Sequence, residues 1–238
     1  VYAALLFLAG FLFYYSLASD YSSGTFAMLG QGRRLFEQVV MVQFMGIYLF
    51  MPAMTCTVIT SEKERGSLGL LFLTRLGPWA ILFEKLLGRV IPMFSFLLLS
   101  LPLLVIAYSL GGISQTYLWS SIWYLSITTL QVGTLALMCS AFFRSTVASF
   151  VATYLLGVVM LFGLPVCDYV LDLGLHRTSP DWLVFMFVGP AIFEYVGRRN
   201  DPIGEVILTG LPILFLTVTM FVSARLFIIR RAFLPAGN

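Results

Sequence analysis

The sequence predicts an all-α membrane protein: a six-helix transmembrane bundle with a re-entrant or interfacial outer hairpin before the last helix. Three observations carry that expectation. Of 238 residues, 60% are hydrophobic and 11% charged, against roughly 45–50% and about 25% in soluble domains, a surplus no single soluble core can bury. The apolar residues fall in blocks long enough to cross roughly 30 Å of hydrocarbon, which takes about 20 helical residues at ~1.5 Å each. The basic residues gather on one side of the bundle those blocks define, as they do in the cytoplasmic loops of membrane proteins.

The first span, residues 1–18, starts inside an apolar run and has no cleavage-site pattern after it. It is too long for a signal-peptide core and reads as a first helix truncated at its N-terminus. Further spans follow at 39–60, 90–110, 118–142, 147–166 and 203–227, with charges only at their ends. Between the last two, residues 167–202 are apolar only over 182–196, a stretch interrupted by Gly189-Pro190. That stretch is too short and too broken to cross, so a re-entrant or interfacial hairpin is the better reading. Tyr14, Tyr15, Trp119, Trp123 and Tyr124 fall near expected bilayer boundaries and fit an aromatic belt. Gly157, Gly163, Gly204 and Gly210 suit close helix packing.

Charge bias orients the bundle. With residues 61–89, the turn at Arg144 and the C-terminus on one side, that side holds nine basic residues (Lys63, Arg65, Arg75, Lys85, Arg89, Arg144, Arg225, Arg230, Arg231) against Glu62, Glu64 and Glu84. The opposite side holds five basic residues and eight acidic. The first side is therefore expected in the cytoplasm, with both termini. No internal repeat divides the chain, and 1–238 reads as one transmembrane domain. Its net charge of +3 is scattered over short loops, which excludes a nucleic-acid surface. Cys56, Cys139 and Cys167 lie far apart and form neither a disulfide framework nor a metal-ligand spacing.

The segment between the 39–60 and 90–110 spans is charged where the rest is not. Ser61 followed by Glu64 has capping-box spacing and predicts a short helix starting there. An apolar surface helix over 68–73 follows, and Gly77-Pro78 opens the next helix, which runs through Lys85 and Arg89 into the third span. An ordinary positive-inside loop is the alternative. Orientation needs only Lys and Arg, however, and the added Glu62 and Glu64 suit docking to a soluble partner.

Three stretches carry a resemblance. Glu62-Lys63-Glu64-Arg65-Gly66-Ser67-Leu68, followed by Leu70-Leu71-Phe72-Leu73-Thr74 and then by Pro78-Trp79 and Lys85-Leu86-Leu87-Gly88, resembles the cytoplasmic signature of ABC-2 type transporter permeases. Ser140-Ala141-Phe142-Phe143-Arg144-Ser145-Thr146-Val147-Ala148 is similar to that family's tight turn between its fourth and fifth helices, and Gly189-Pro190-Ala191 to its proline segment before the last helix. Arg75 and Glu84 depart from the pattern, standing where the family usually has Pro and often Gly.

The resemblance implies the transmembrane half of an ATP-driven exporter in a bacterial plasma membrane, paired with a second permease and engaging a cytoplasmic ABC ATPase. No G-x-x-x-x-G-K-[ST] phosphate loop occurs in the chain. ATP and Mg are accordingly expected on the partner ATPase, with no cofactor in this chain. The resemblance makes 62–73 the cytoplasmic coupling helix: Glu62, Lys63, Glu64, Arg65 and Ser67 form its polar part, and Gly66 allows close backbone approach. Arg144 is either a second contact or a topology anchor. Glu194, beside the Gly189-Pro190 break, is either a pathway group or a solvated partner of Arg198. Two rivals lack their chemistry. An intramembrane hydrolase needs a nucleophile and base, or metal ligands, yet the one histidine, His176, lies in the outer loop. A secondary transporter or channel usually places ionisable groups inside its spans, and these spans have none.

Overall fold

The computed structural model describes the backbone of residues 31–65, 77–175 and 203–232, with Phe11, and side chains within 32–161 and 206–229 apart from Thr209. Among these residues all regular structure is helical: α1 (Gln31–Thr55), α2 (Thr57–Glu64), α3 (Pro78–Ser109), α4 (Gln115–Phe142), α5 (Thr146–Leu175) and α6 (Ile203–Ala232). Four stretches are long and apolar enough to cross a membrane: Gly32–Glu64 (α1 with α2), Pro78–Ser109, Gln115–Phe142 and Val206–Ile229. The described side chains of α5 form a shorter apolar helix, Thr146–Leu161. The expected 1–18 span, the 68–73 surface helix and the 182–196 hairpin lie outside the described residues.

The helices begin and end where local chemistry directs. Gly77 is extended and Pro78 opens α3 as expected, since proline lacks the N–H that a first helical turn leaves unused. The turn after α3 uses Gly111 and Gly112 at φ of 83° and 84°, conformations that a side chain would strain. Ser114 then caps α4, its hydroxyl accepting the Tyr117 N–H at 3.2 Å. Ser114→Ala is expected to cost about 1 kcal/mol. That should read as a fall of roughly 2–4 °C in melting temperature, whereas Ser114→Asp, which keeps an acceptor, should stay near wild type.

α4 forms the centre. Of its apolar window 78% is buried, against 33% for α3 and 24% for α6. Its buried hydroxyls bond back into their own helix, Thr128 to Tyr124 O and Thr129 to Leu125 O, for example. These hydroxyls thus sit inside the bundle with their hydrogen bonds made. α1 lies parallel to α4: the rings of Phe36 and Tyr117 stand 5.0 Å apart near one end, and Ile59 meets Ser140 near the other. α3 runs antiparallel beside both, with Phe96 against Gly46 and Leu86 against Gly133. α6 is parallel to α4, its Val206 carbonyl facing the Tyr124 hydroxyl and its Phe227 ring 5.1 Å from Phe142. Outward faces such as Leu208, Leu211, Phe215 and Val218 on α6 stay exposed and apolar, as lipid contact requires.

Two expectations change. Tyr124 is 1% exposed and belongs to the core, while Trp119 is exposed as a belt residue would be. The capping box at Ser61 does not form: the chain is already helical from Thr57, and Ser61 lies in the last turn of α2, its carbonyl accepting the Arg65 N–H. A cap must precede the helix it starts, and Ser61 lies five residues past the cap position at Cys56.

Candidate functional site

Pro52 lies within α1 and has no N–H to bond back, and the chain passes through Cys56 in helical conformation, its N–H on Pro52 O at 2.9 Å, before continuing as α2. Backbone groups beside this proline find partners on other helices. The Ser140 hydroxyl of α4 accepts both the Ile59 and Thr60 N–H groups, at 3.0 and 3.1 Å. The Ser149 hydroxyl of α5 donates to Cys56 O at 3.2 Å, and the Tyr154 hydroxyl donates to Leu49 O.

Beyond the apolar stretch, the charged residues of α2 close on the α4–α5 turn. Lys63 Nζ donates to Ser140 O, Ala141 O and Phe143 O at 2.7, 2.6 and 2.9 Å. α4 ends there without a glycine, so its last carbonyls have no left-handed cap and carry the negative end of the helix dipole. The next residue, Glu64, turns to the opposite pole. Its carboxylate accepts the Thr146 N–H at 2.7 Å, at the positive start of α5. That N–H, with the Thr146 hydroxyl second, holds Glu64 below the ordinary carboxylate range. Thr146 also hydrogen-bonds the Thr60 hydroxyl at 3.2 Å. Two adjacent residues of α2 therefore cap two successive helices.

Glu62 pairs with Lys85 of α3, with 21% and 30% of their side chains exposed, so water screens this pair less than an open surface pair. Beside it a cleft of about 480 Å³ opens between α2 and α3, lined by Ser61, Glu62, Arg65, Glu84, Lys85 and Arg89. On the far side of α3, Arg225 of α6 stacks over the Trp79 ring at 4.7 Å, and Phe221 stands 5.7 Å from that ring.

The end of the bundle thus gathers the described part of 61–89, the Arg144 turn and Arg225, the groups that charge bias places together. Of the sequence-derived site residues, Glu62, Lys63 and Glu64 are engaged within the chain, while Arg65 and Arg144 are exposed. Gly66, Ser67 and Glu194 lie outside the described residues. No family model matches this sequence, and no curated protein matches it. Among the described residues, no group of three or more His, Cys, Asp or Glu stands close enough to hold a metal.

The residues that sequence reading left without a role are Ser140, Thr146 and Ser149. No local signal points to them: a helix that ends at Phe142-Phe143-Arg144, without glycine or asparagine, needs a donor from elsewhere for its last carbonyls, which calls for Lys63 and not for these three.

Proposed function

We propose that the chain is the membrane-spanning permease of an ABC-2 type exporter, acting with a second permease and using ATP hydrolysed by a partner ATPase. One observation carries the reading. The two motifs on which the family resemblance chiefly rests, 62–68 and 140–148, are separated by some eighty residues of sequence, and their described parts meet at one end of the bundle, the end that charge bias assigns to the cytoplasm. A mixed-sign surface there, with Arg65, Glu84 and Arg144 exposed, is suited to a soluble partner of complementary charge. Since Glu64 also caps α5, Arg65 is the better residue with which to probe that contact.

The test is purification of the full chain from its own membrane, followed by reconstitution in liposomes. A protein bearing a phosphate loop should co-purify in fixed stoichiometry, with ATP hydrolysis tied to substrate movement. Arg65→Glu should insert and melt like wild type but lower the coupled hydrolysis on the order of tenfold, as reversing one interfacial charge does at about 1.4 kcal/mol. Transport by the chain alone, driven by an ion gradient, would overturn the reading in favour of a secondary carrier.

A further inference from the structure

The cleft between α2 and α3 holds charge that its own walls do not neutralise. Glu62 and Lys85 pair across it, which leaves Arg65, Arg89 and Glu84. Among the described residues, neither guanidinium has a carboxylate within ion-pair distance. Arg65 is exposed, and Arg89 is half-buried further along the cleft. Counted from Pro78, Arg89 lies about 16 Å along α3, and Leu86, one turn before it, packs against Gly133 well inside α4. The outward face of these same turns is apolar and exposed at Phe83 and Leu87, ahead of the expected span start at 90. Lipid covers such a face in a membrane. Arg89 therefore stands at a depth where hydrocarbon lies on one side of α3 and a polar cleft on the other. A helical side chain leans toward its helix's N-terminus, here the charged end of the bundle, so Arg89 reaches down into the cleft with its stem along the helix.

We propose that this cleft binds the phosphodiester headgroup of an anionic phospholipid from the leaflet at the charged end, with Arg89 as the inner cation and the acyl chains lying along Phe83, Leu87 and Ile91. A guanidinium fork matches two phosphate oxygens. With three cations (Arg65, Lys85, Arg89) against two carboxylates (Glu62, Glu84), the cleft is complementary to a single negative charge. Glu84 and Gly88 line it one residue on from the exposed Phe83 and Leu87, so polar cleft and apolar face meet along one edge of α3. At that edge Gly88 is exposed, and a β-carbon there would meet nothing within 4 Å, which leaves the way in from the bilayer open. An acidic side chain of a soluble partner would match the charge at Arg65 alone. A lipid already lies at the level of Arg89, where an unpaired charge most needs a counterion. The site stands apart from the exporter reading and needs no ATPase.

Native mass spectrometry of the purified full chain in detergent, titrated with phosphatidylglycerol or with phosphatidylcholine of the same acyl chains, tests the assignment. The first phosphatidylglycerol should bind about tenfold more tightly than the first phosphatidylcholine, the factor that about 1.4 kcal/mol of charge-assisted bonding supplies. Arg89→Gln should reduce that preference to less than about twofold. Gly88→Leu, which keeps every charge and closes the edge toward lipid, should do the same, and it carries the test by itself if Arg89→Gln does not fold. Arg89→Lys, with the charge but not the fork, should fall between Arg89→Gln and wild type. Arg144→Gln removes an exposed cation from the same end of the bundle and should keep the full preference, which a general attraction of anionic lipid to basic residues would not allow. Equal affinity for the two lipids in the wild-type protein overturns the inference and leaves the cleft to an acidic side chain of a soluble partner. The same loss in Arg144→Gln as in Arg89→Gln also overturns it, as does displacement of the lipid by millimolar inorganic phosphate, which would make the occupant a free anion. Because only lipid and chain take part, failure of the exporter reading would leave these affinities unaltered.

Discussion

Replacing Lys63 by methionine is expected to lower the melting temperature of the purified protein by about 5–10 °C. The substitution keeps the length of the side chain and removes its charge and donors. Three carbonyls at the end of α4 then lose their partner at a half-buried site, and the negative pole of that helix loses the cation beside it. A charge-assisted hydrogen bond contributes about 1.5–3 kcal/mol, and a cation at a partly buried helix terminus up to about 2. These overlap here and do not add. A total of about 2–3 kcal/mol corresponds to the stated fall at roughly 2–4 °C per kcal/mol for a chain of this size. Lys63→Arg should lose less than half as much. Thermal unfolding in detergent, followed by near-ultraviolet circular dichroism, measures both. A Lys63→Met protein melting within about 1 °C of wild type would mean that water, not Lys63, serves these carbonyls.

The large features of the fold were legible because lipid makes them so. A span must be helical and apolar for some 20 residues, since no water is present to satisfy bare backbone. The expected start of α3 at Pro78 and the end of α4 at Phe142 accordingly match the structure, and the 203–227 run lies within α6. α1 reaches back to Gln31, eight residues before the expected span start at 39, because Gln31, Arg33, Arg34 and Glu37 are polar and fall outside the apolar run that marks a span. Arg33 and Glu37 pair one helical turn apart at 2.8 Å and extend the helix without apolar residues.

The site was legible in position and not in wiring. Glu62, Lys63 and Glu64 stood out because charges of both signs at the end of an apolar helix call for partners. Sequence can place a pair three or four residues apart on a helix, and so it offered Ser61 and Glu64. The partners actually chosen are 77 to 82 positions away for Lys63 and Glu64, on α4 and α5. Nothing local encodes that choice. It follows from α1 and α4 lying parallel in close register, a property of packing. Ser140 is the sharpest case, an ordinary serine near a helix end until the Ile59 and Thr60 amides are set beside it.

Adding a single methyl group at Gly32 is expected to be more damaging than adding one at either of two other buried glycines, and the ranking tests how closely the helices approach. A β-carbon on Gly32 would meet Ala107 O and Gly111 O at 2.4 Å each, with Leu110 Cβ at 3.1 Å. Both oxygens belong to backbone at the end of α3, held by the helix and by the two left-handed glycines after it, so α1 itself must move away. A β-carbon on Gly210 would meet Trp123 Nε1 at 2.8 Å, a rigid ring that can tilt. At Gly133 the obstacle is the Met51 methyl at 2.5 Å, the free end of a flexible side chain. Each glycine-to-alanine change also gains about 1 kcal/mol of helix propensity. At Gly133 that gain offsets the small repacking, and the net change should stay within about 1 kcal/mol. At Gly32 the overpacking exceeds the ordinary ~1–3 kcal/mol range for such insertions, and Gly32→Ala should fall by roughly 10 °C or fail to assemble, with Gly210→Ala between the two. Melting curves of the three variants decide it. Should Gly32→Ala prove as mild as Gly133→Ala, then α1 does not rest against the end of α3, and the register that brings Ile59 to Ser140 at the opposite end loses its anchor.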